Sequence, residues 1–228
     1  MASSSSSSSQ HTQLKALIVG ATGATGSALL SLLSAEPRFR SITSLVRKAP
    51  AETLERVTAT TVDFDKLADS AAAFAGVDVV FCCLGTTRKV AGADGFVKVD
   101  HDYVMATADL AKKADVKHFS IVSSQGADSS SMFLYMSTKG KVEDKLKALQ
   151  FPRLTIMQPG LLHRPDSDRL MEKVASWVMP SLPVSTLARA MMRDALSQAD
   201  QPPQAPAVTV LSNSQIKKLG APPAAPSS

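Results

Sequence analysis

Two side chains able to exchange a proton stand one helical turn apart, Tyr135 and Lys139 in the stretch YMSTK. On a helix, residues four apart project from one face. A tyrosine near its reference pKa of about 10 is a poor base at neutral pH, and an ammonium one turn away lowers that value by favouring the phenolate. Two hydroxyls, Ser123 and Ser124, lie just upstream. Either can bond a carbonyl oxygen as charge develops on it, Ser124 being the first choice, or simply cap the backbone of a strand-end turn. Together these groups suit hydride transfer to a carbonyl, with Tyr135 as proton donor. A Tyr–Lys pair alone recurs by chance. Its weight comes from where it falls in the chain.

The positioning elements begin with LKALIVGATGATG. Leu14 to Val19 is an apolar run too short for a helix, as a buried parallel strand should be. Gly20, Gly23 and Gly26 follow, and then a helix over about Gly23 to Glu36. Strand, glycine turn and helix in that order cradle the diphosphate of a dinucleotide. Gly20 makes the tight turn, Gly23 lets backbone approach the phosphates, and Gly26 lets the helix pack on the sheet. The second strand, Ser41 to Val46, ends in Arg47 and Lys48 with no carboxylate before Glu52. Basic residues at this point suit a 2′-phosphate, so NADP(H) is favoured over NAD.

The chain then alternates. A third strand over Arg56 to Val62 closes on Asp63, which either meets the adenine amino group or caps the helix that follows, Lys66 to Phe74. Val77 to Leu84 is a central strand ending in Gly85, where a nicotinamide ribose needs close backbone approach. Arg88 to Gly95 reads as a loop, and Phe96 to Lys113 as a long helix. Phe119 to Val122, opened by His118, is the fifth strand and ends in the two serines. The helix from Phe133 to Leu149 carries Tyr135 and Lys139 and precedes a sixth strand, Leu154 to Gln158. One helix is expected at Arg169 to Val178, another at Thr186 to Leu196, and a last strand at Val208 to Leu211. The fold class is therefore α/β, a doubly wound parallel sheet of Rossmann type. Its single domain runs from 14 to 220, with a substrate-side segment at about 161–200 and disordered tails at 1–13 and 221–228.

Composition narrows the function classes. The net charge of +5 suits an anionic cofactor, but the basic residues are scattered, which argues against specific nucleic-acid binding. No apolar segment approaches the ~18 residues of a membrane span. The two cysteines, Cys82 and Cys83, are adjacent within an apolar run. They are expected to be inert core thiols of a reducing compartment, and no metal-ligand spacing occurs. The serine run at the N-terminus is read as neither a secretory signal nor a transit peptide, so a cytoplasmic or nuclear location is expected. A monomer is expected as well.

GATGATG at Gly20 to Gly26 and YMSTK at Tyr135 to Lys139 resemble the short-chain dehydrogenase/reductase superfamily. FCCLGTTR, GFVKVDHDYV, SSQGADSSSMFLYMSTKGKVE and PGLL are similar to its atypical branch of Tat-interacting oxidoreductases. The resemblance runs from about Leu14 to Leu219. It implies NADPH held by Thr22, Gly23, Ala24, Thr25, Arg47, Lys48, Leu84, Gly85, Tyr135 and Lys139, with Leu162 and Arg169 closing over the cofactor. The chain departs from that pattern in three places. Asp100 stands where extended members often carry asparagine, Gln125 stands where the branch has lysine, and the stretch from Ser181 to Arg189 is shorter. The branch is linked to import and transcription. An NADPH-binding regulator or redox-sensing scaffold with a protein partner is thus the alternative to a carbonyl reductase.

Overall fold

The computed structural model describes residues 12–52, 54–163, 181–201 and 207–222. Its strands are β1 (Leu14–Val19), β2 (Phe39–Val46), β3 (Val57–Thr61), β4 (Val79–Cys82), β5 (His118–Val122), β6 (Arg153–Gln158), β7 (Leu162–His163), β8 (Leu182–Pro183) and β9 (Ala207–Ser212). Seven of these form one sheet in the order β3-β2-β1-β4-β5-β6-β9, every neighbouring pair parallel. The chain winds outward from β1 to β3, then crosses back to β4 and winds the other way. That reversal opens a crevice at the carboxyl ends of β1 and β4. The expected doubly wound parallel sheet is the fold observed.

Alternation along the strands sends side chains to two cores. Leu17 and Val19 of β1 face one side, with Val104, Ala108, Val142 and Leu146. Ala16 and Ile18 face the other, with Leu29, Leu33, Leu187 and Met191. The helices supplying these contacts are α1 (Ala24–Ala35), α3 (Tyr103–Lys113), α4 (Leu134–Ala148) and α5 (Val184–Ala199), while α2 (Arg88–Val97) lies between β4 and α3 in the chain. A short α6 (Asn213–Leu219) adds Ile216 to the second core. Each fully buried leucine, isoleucine or phenylalanine side chain contributes about 1.5–3 kcal/mol through apolar burial. The helices are thereby fixed on the sheet.

Several boundaries differ from the sequence reading. Arg88 to Gly95, expected as a loop, is helical on both sides of a break at Gly92, whose φ is 73°. The expected continuous helix from Phe96 instead contains a π turn, Lys98–Asp102. Such a wide turn commonly marks a functional position, and this one carries the buried Asp100. The helix after β3 is a 3₁₀ segment, Phe64–Phe74, broken at Lys66 and Ser70. β7 and β8 form a two-residue parallel pair that no sequence pattern signals. The expected helix at Arg169 to Val178 lies outside the described residues, as does most of both predicted tails.

Candidate active site

β1 ends at Gly20, which has φ 80°. A Cβ there would stand 2.5 Å from the Cys83 carbonyl oxygen, so only glycine lets β1 and the end of β4 approach this closely. A Cβ on Gly26 would run into the Gly20 carbonyl, so this glycine seats α1 beneath the turn rather than lining the cleft. Gly23 is the N-cap of α1. No side chain caps it, and the first turn contains no acidic residue. The free N–H groups and the positive end of the helix are left for an anion.

Above this turn a groove follows the strand ends. A cavity of about 490 Å³ is lined by Gly20, Thr22, Gly23, Arg47, Leu84 and Gly85, with Phe64 and Tyr103 on its outer wall. It shares Gly23, Leu84 and Gly85 with a second cavity of about 320 Å³, whose lining includes Ala24, Thr25, Asp100, Ser123, Tyr135, Lys139 and Leu162. Residues from widely separated stretches thus meet in one groove. The glycine cradle, the uncapped helix and the groove running off both fit a dinucleotide with its diphosphate at Gly23.

At the inner end, α4 supplies Tyr135 and Lys139. The tyrosine ring stacks on Phe96, with centroids 5.6 Å apart, and stays partly exposed to the cavity. Lys139 is buried, and its Nζ lies 2.9 Å from Asp100 Oδ1. The other oxygen of Asp100 accepts the Thr86 N–H at 2.8 Å, tying the turn after β4 to the same carboxylate. Ser123 donates to the buried Glu143 at 2.5 Å, and Gln158 Nε2 donates to both Glu143 oxygens. At the outer end, Asp65 receives Lys98 Nζ at 2.7 Å and the Tyr103 hydroxyl at 2.9 Å. These hydrogen bonds hold the Asp65 carboxyl below its usual range and raise Lys98, while burial is the main cause pushing Tyr103 upward.

Not every expected residue joins the groove. Lys48 is exposed and absent from both linings, unlike Arg47. Asp63 takes the second of its two expected roles: its carboxylate accepts the Asp65 N–H at 2.9 Å as a helix cap, and it is absent from both linings. Ser124 is corrected as the first choice for orienting substrate. Ser123 N–H still bonds the Met157 carbonyl as the ladder continues, and the strand's alternation turns Ser123 to the cavity wall. Ser124 donates instead to the Gln125 carbonyl at 3.2 Å. Arg169 lies outside the described residues. Sequence reasoning missed Glu143, Phe96 and the Asp65–Lys98–Tyr103 cluster. Only GFVKVDHDY, rich in polar side chains inside a helical stretch, signalled part of it.

Residues 20–197 match the family model described as NAD(P)H-binding. The chain belongs to this NAD(P)H-binding family. Protein HTATIP2 of Rattus norvegicus is 40% identical over 220 residues, covering 89% of this chain and 88% of that protein. Protein FMP52-2, mitochondrial, of Scheffersomyces stipitis is 32% identical over 221 residues, covering 90% and 96%. Among solved structures, MoeE5 in complex with UDP-glucose and NAD superposes with a TM-score of 0.68 at 15% identity, covering 87% of this chain and 75% of that one. An oxidoreductase of the short-chain dehydrogenase/reductase family from Burkholderia thailandensis gives 0.67 at 18% identity, covering 90% and 93%. At such identities these two structures show the shared fold alone. The expected cytoplasmic or nuclear location is corrected, because fungal relatives of this NAD(P)H-binding chain are named as mitochondrial proteins.

No described helix is long and apolar enough to cross a membrane, and no metal-ligating cluster of three or more acidic, histidine or cysteine side chains occurs among the described residues. Cys82 and Cys83 are both free thiols, and burial raises both above their ordinary value, Cys82 to about 12. They are protonated at neutral pH, hence poor nucleophiles.

Proposed function

We propose that the chain is an NADPH-dependent oxidoreductase that reduces a carbonyl on a small molecule. The observation that carries this reading is that Tyr135 and Lys139 share one groove with the uncapped N-terminus of α1. NADPH, when bound, supplies the hydride. Gly23, Ala24 and Thr25 would hold its diphosphate, Gly85 its nicotinamide ribose and Arg47 its 2′-phosphate. Tyr135 gives its phenolic proton to the carbonyl oxygen and regains one from solvent, reached through its exposed side. Lys139 holds charge at the same end, and Ser123 lines the wall where the substrate oxygen must lie. Arg47 supports NADPH over NADH because it lines the wide cavity at the end of β2 with no carboxylate beside it there.

The test is binding of both nucleotides to the purified chain, followed by turnover against a carbonyl panel. Arg47→Ala is expected to weaken NADPH about 10- to 100-fold and leave NADH nearly unchanged. Equal loss for both nucleotides sinks the assignment of the 2′-phosphate.

A second reading is a nucleotide-occupied scaffold with little turnover. Met132 and Phe133, 100% and 77% exposed just before Tyr135, support it as an apolar surface beside the groove. NADPH bound without turnover, together with a partner lost on Phe133→Ser, would favour it. By likeness to the fungal relatives we also infer a mitochondrial location, which fractionation of cells expressing the full chain tests directly.

A further inference from the structure

The sequence alone treats Lys139 as a free positive charge beside the phenol. The structure gives it a partner. Asp100 is 1% exposed, with one oxygen 2.9 Å from Lys139 Nζ and the other accepting the Thr86 N–H. Asp100, Lys139 and Tyr135 line the same cavity. An ammonium with its countercharge in contact acts at a distance as a dipole, and its pull on a nearby phenolate is much weaker than that of a lone cation.

We propose that Asp100 is a positioning residue acting through Lys139, whose carboxylate offsets the ammonium charge that would otherwise favour a phenolate at Tyr135, so that the site is set to donate a proton in the direction of carbonyl reduction. This inference rests on reading Tyr135 and Lys139 as the proton-transfer pair.

Among the described residues, the surrounding groups leave the pair as the main charge at this end. On α4 the next turn carries Glu143, whose oxygens are taken by Ser123, Gln158 and, at 3.7 Å, Lys147. From β4, the Cys82 thiol is pushed up to about 12 by burial and stays neutral. From α2, Phe96 offers only its ring. His101, next to Asp100, is bonded to Asp102 and Lys145. Asp100 also holds the Thr86 backbone beside Gly85, so one carboxylate fixes both the ammonium and the turn beneath the nicotinamide end.

The chain contains two tyrosines, so Tyr103→Phe leaves Tyr135 as the only phenol. In that background, phenolate absorbance is followed against pH with neither cofactor nor substrate present. Asp100→Asn is expected to lower the Tyr135 midpoint by about one pH unit, Lys139→Met to raise it, and the double variant to return it close to the starting value. A merely structural role for Asp100 would alter thermal stability and leave the phenol midpoint where it was.

An unchanged or raised midpoint in folded Asp100→Asn overturns the proposal. If that variant fails to fold, Lys139→Met is compared with the double variant, which contains no lone buried charge. The midpoint must then fall when the carboxylate is removed, and a constant value overturns the proposal. The titration needs no turnover. A chain that binds no NADPH refutes the functional reading, whereas an unresponsive phenol refutes only the role of Asp100.

Discussion

Two buried acid–base pairs sit near opposite ends of β5. At its start, His118 Nε2 donates to Thr155 Oγ1 at 2.9 Å, and Thr155 donates to Asp194 at 2.7 Å, with His118 and Asp194 only 3.5 Å apart. Beyond its end, Lys139 meets Asp100. All four side chains are less than a tenth exposed, so burial does not separate the pairs. Their surroundings do. The first is enclosed between β6 and α5 at the amino ends of the strands, and the second faces a cavity at the carboxyl ends. In a doubly wound sheet the carboxyl ends carry ligands, and the amino ends carry stability. A buried ion pair is a site only where the fold opens a cavity beside it.

Variants at the two ends should therefore fail in different measurements. The largest effect is expected from Tyr135→Phe, with turnover falling about 10²- to 10⁴-fold while the thermal midpoint barely moves. A melting temperature that falls with the rate would erase the distinction. Asp194→Ala is next. It leaves the Thr155 hydroxyl and Gln198 Nε2 without their acceptor, with an expected loss of about 3 kcal/mol in denaturant unfolding and unaltered NADPH affinity.

The pH dependence sharpens the same contrast. Burial, helped by Arg153 and opposed by Asp194, lowers the His118 pKa to about 4 from its model-compound value of 6.5. The unfolded chain therefore binds more protons at this residue between those values, and stability rises with pH across that window. The stabilisation is present above pH 6.5 and is lost as pH falls towards 4, by roughly 2–3 kcal/mol for this group alone. Unfolding curves at several pH values should show this slope, and His118→Gln should flatten it.

The smallest effects concern the serines. Ser123→Ala takes one donor from buried Glu143 and should cost about 1–3 kcal/mol. Ser124→Ala should change stability by no more than about 0.5 kcal/mol. Equal costs at both positions would contradict the observed pairing of Ser123 with Glu143.

What the sequence made legible was local. The glycine turn could be read because Gly20, Gly23 and Gly26 each answer to backbone within a few residues or to the adjacent strand. Tyr135 and Lys139 could be paired because a helix fixes their spacing. Asp100 was noticed only as a departure from a pattern, since its partner lies on another helix and a π turn shapes its approach. His118 was assigned no role, because Asp194 lies 76 residues further along the chain and meets it only through packing of α5. The cap at Asp63 was legible for the opposite reason, since it needs only a donor two residues away. β7 and β8 were too short for any periodicity.

The clasp of Asp65, Lys98 and Tyr103 on the outer rim has a consequence for kinetics. It ties the 3₁₀ segment to the π turn and α3 through charges that stand in water, where dissolved ions compete for them. Adding salt should loosen that rim while leaving the enclosed Lys139–Asp100 contact intact. If the proposed function holds, with the adenine end of the nucleotide on this side, its residence time should shorten as ionic strength rises.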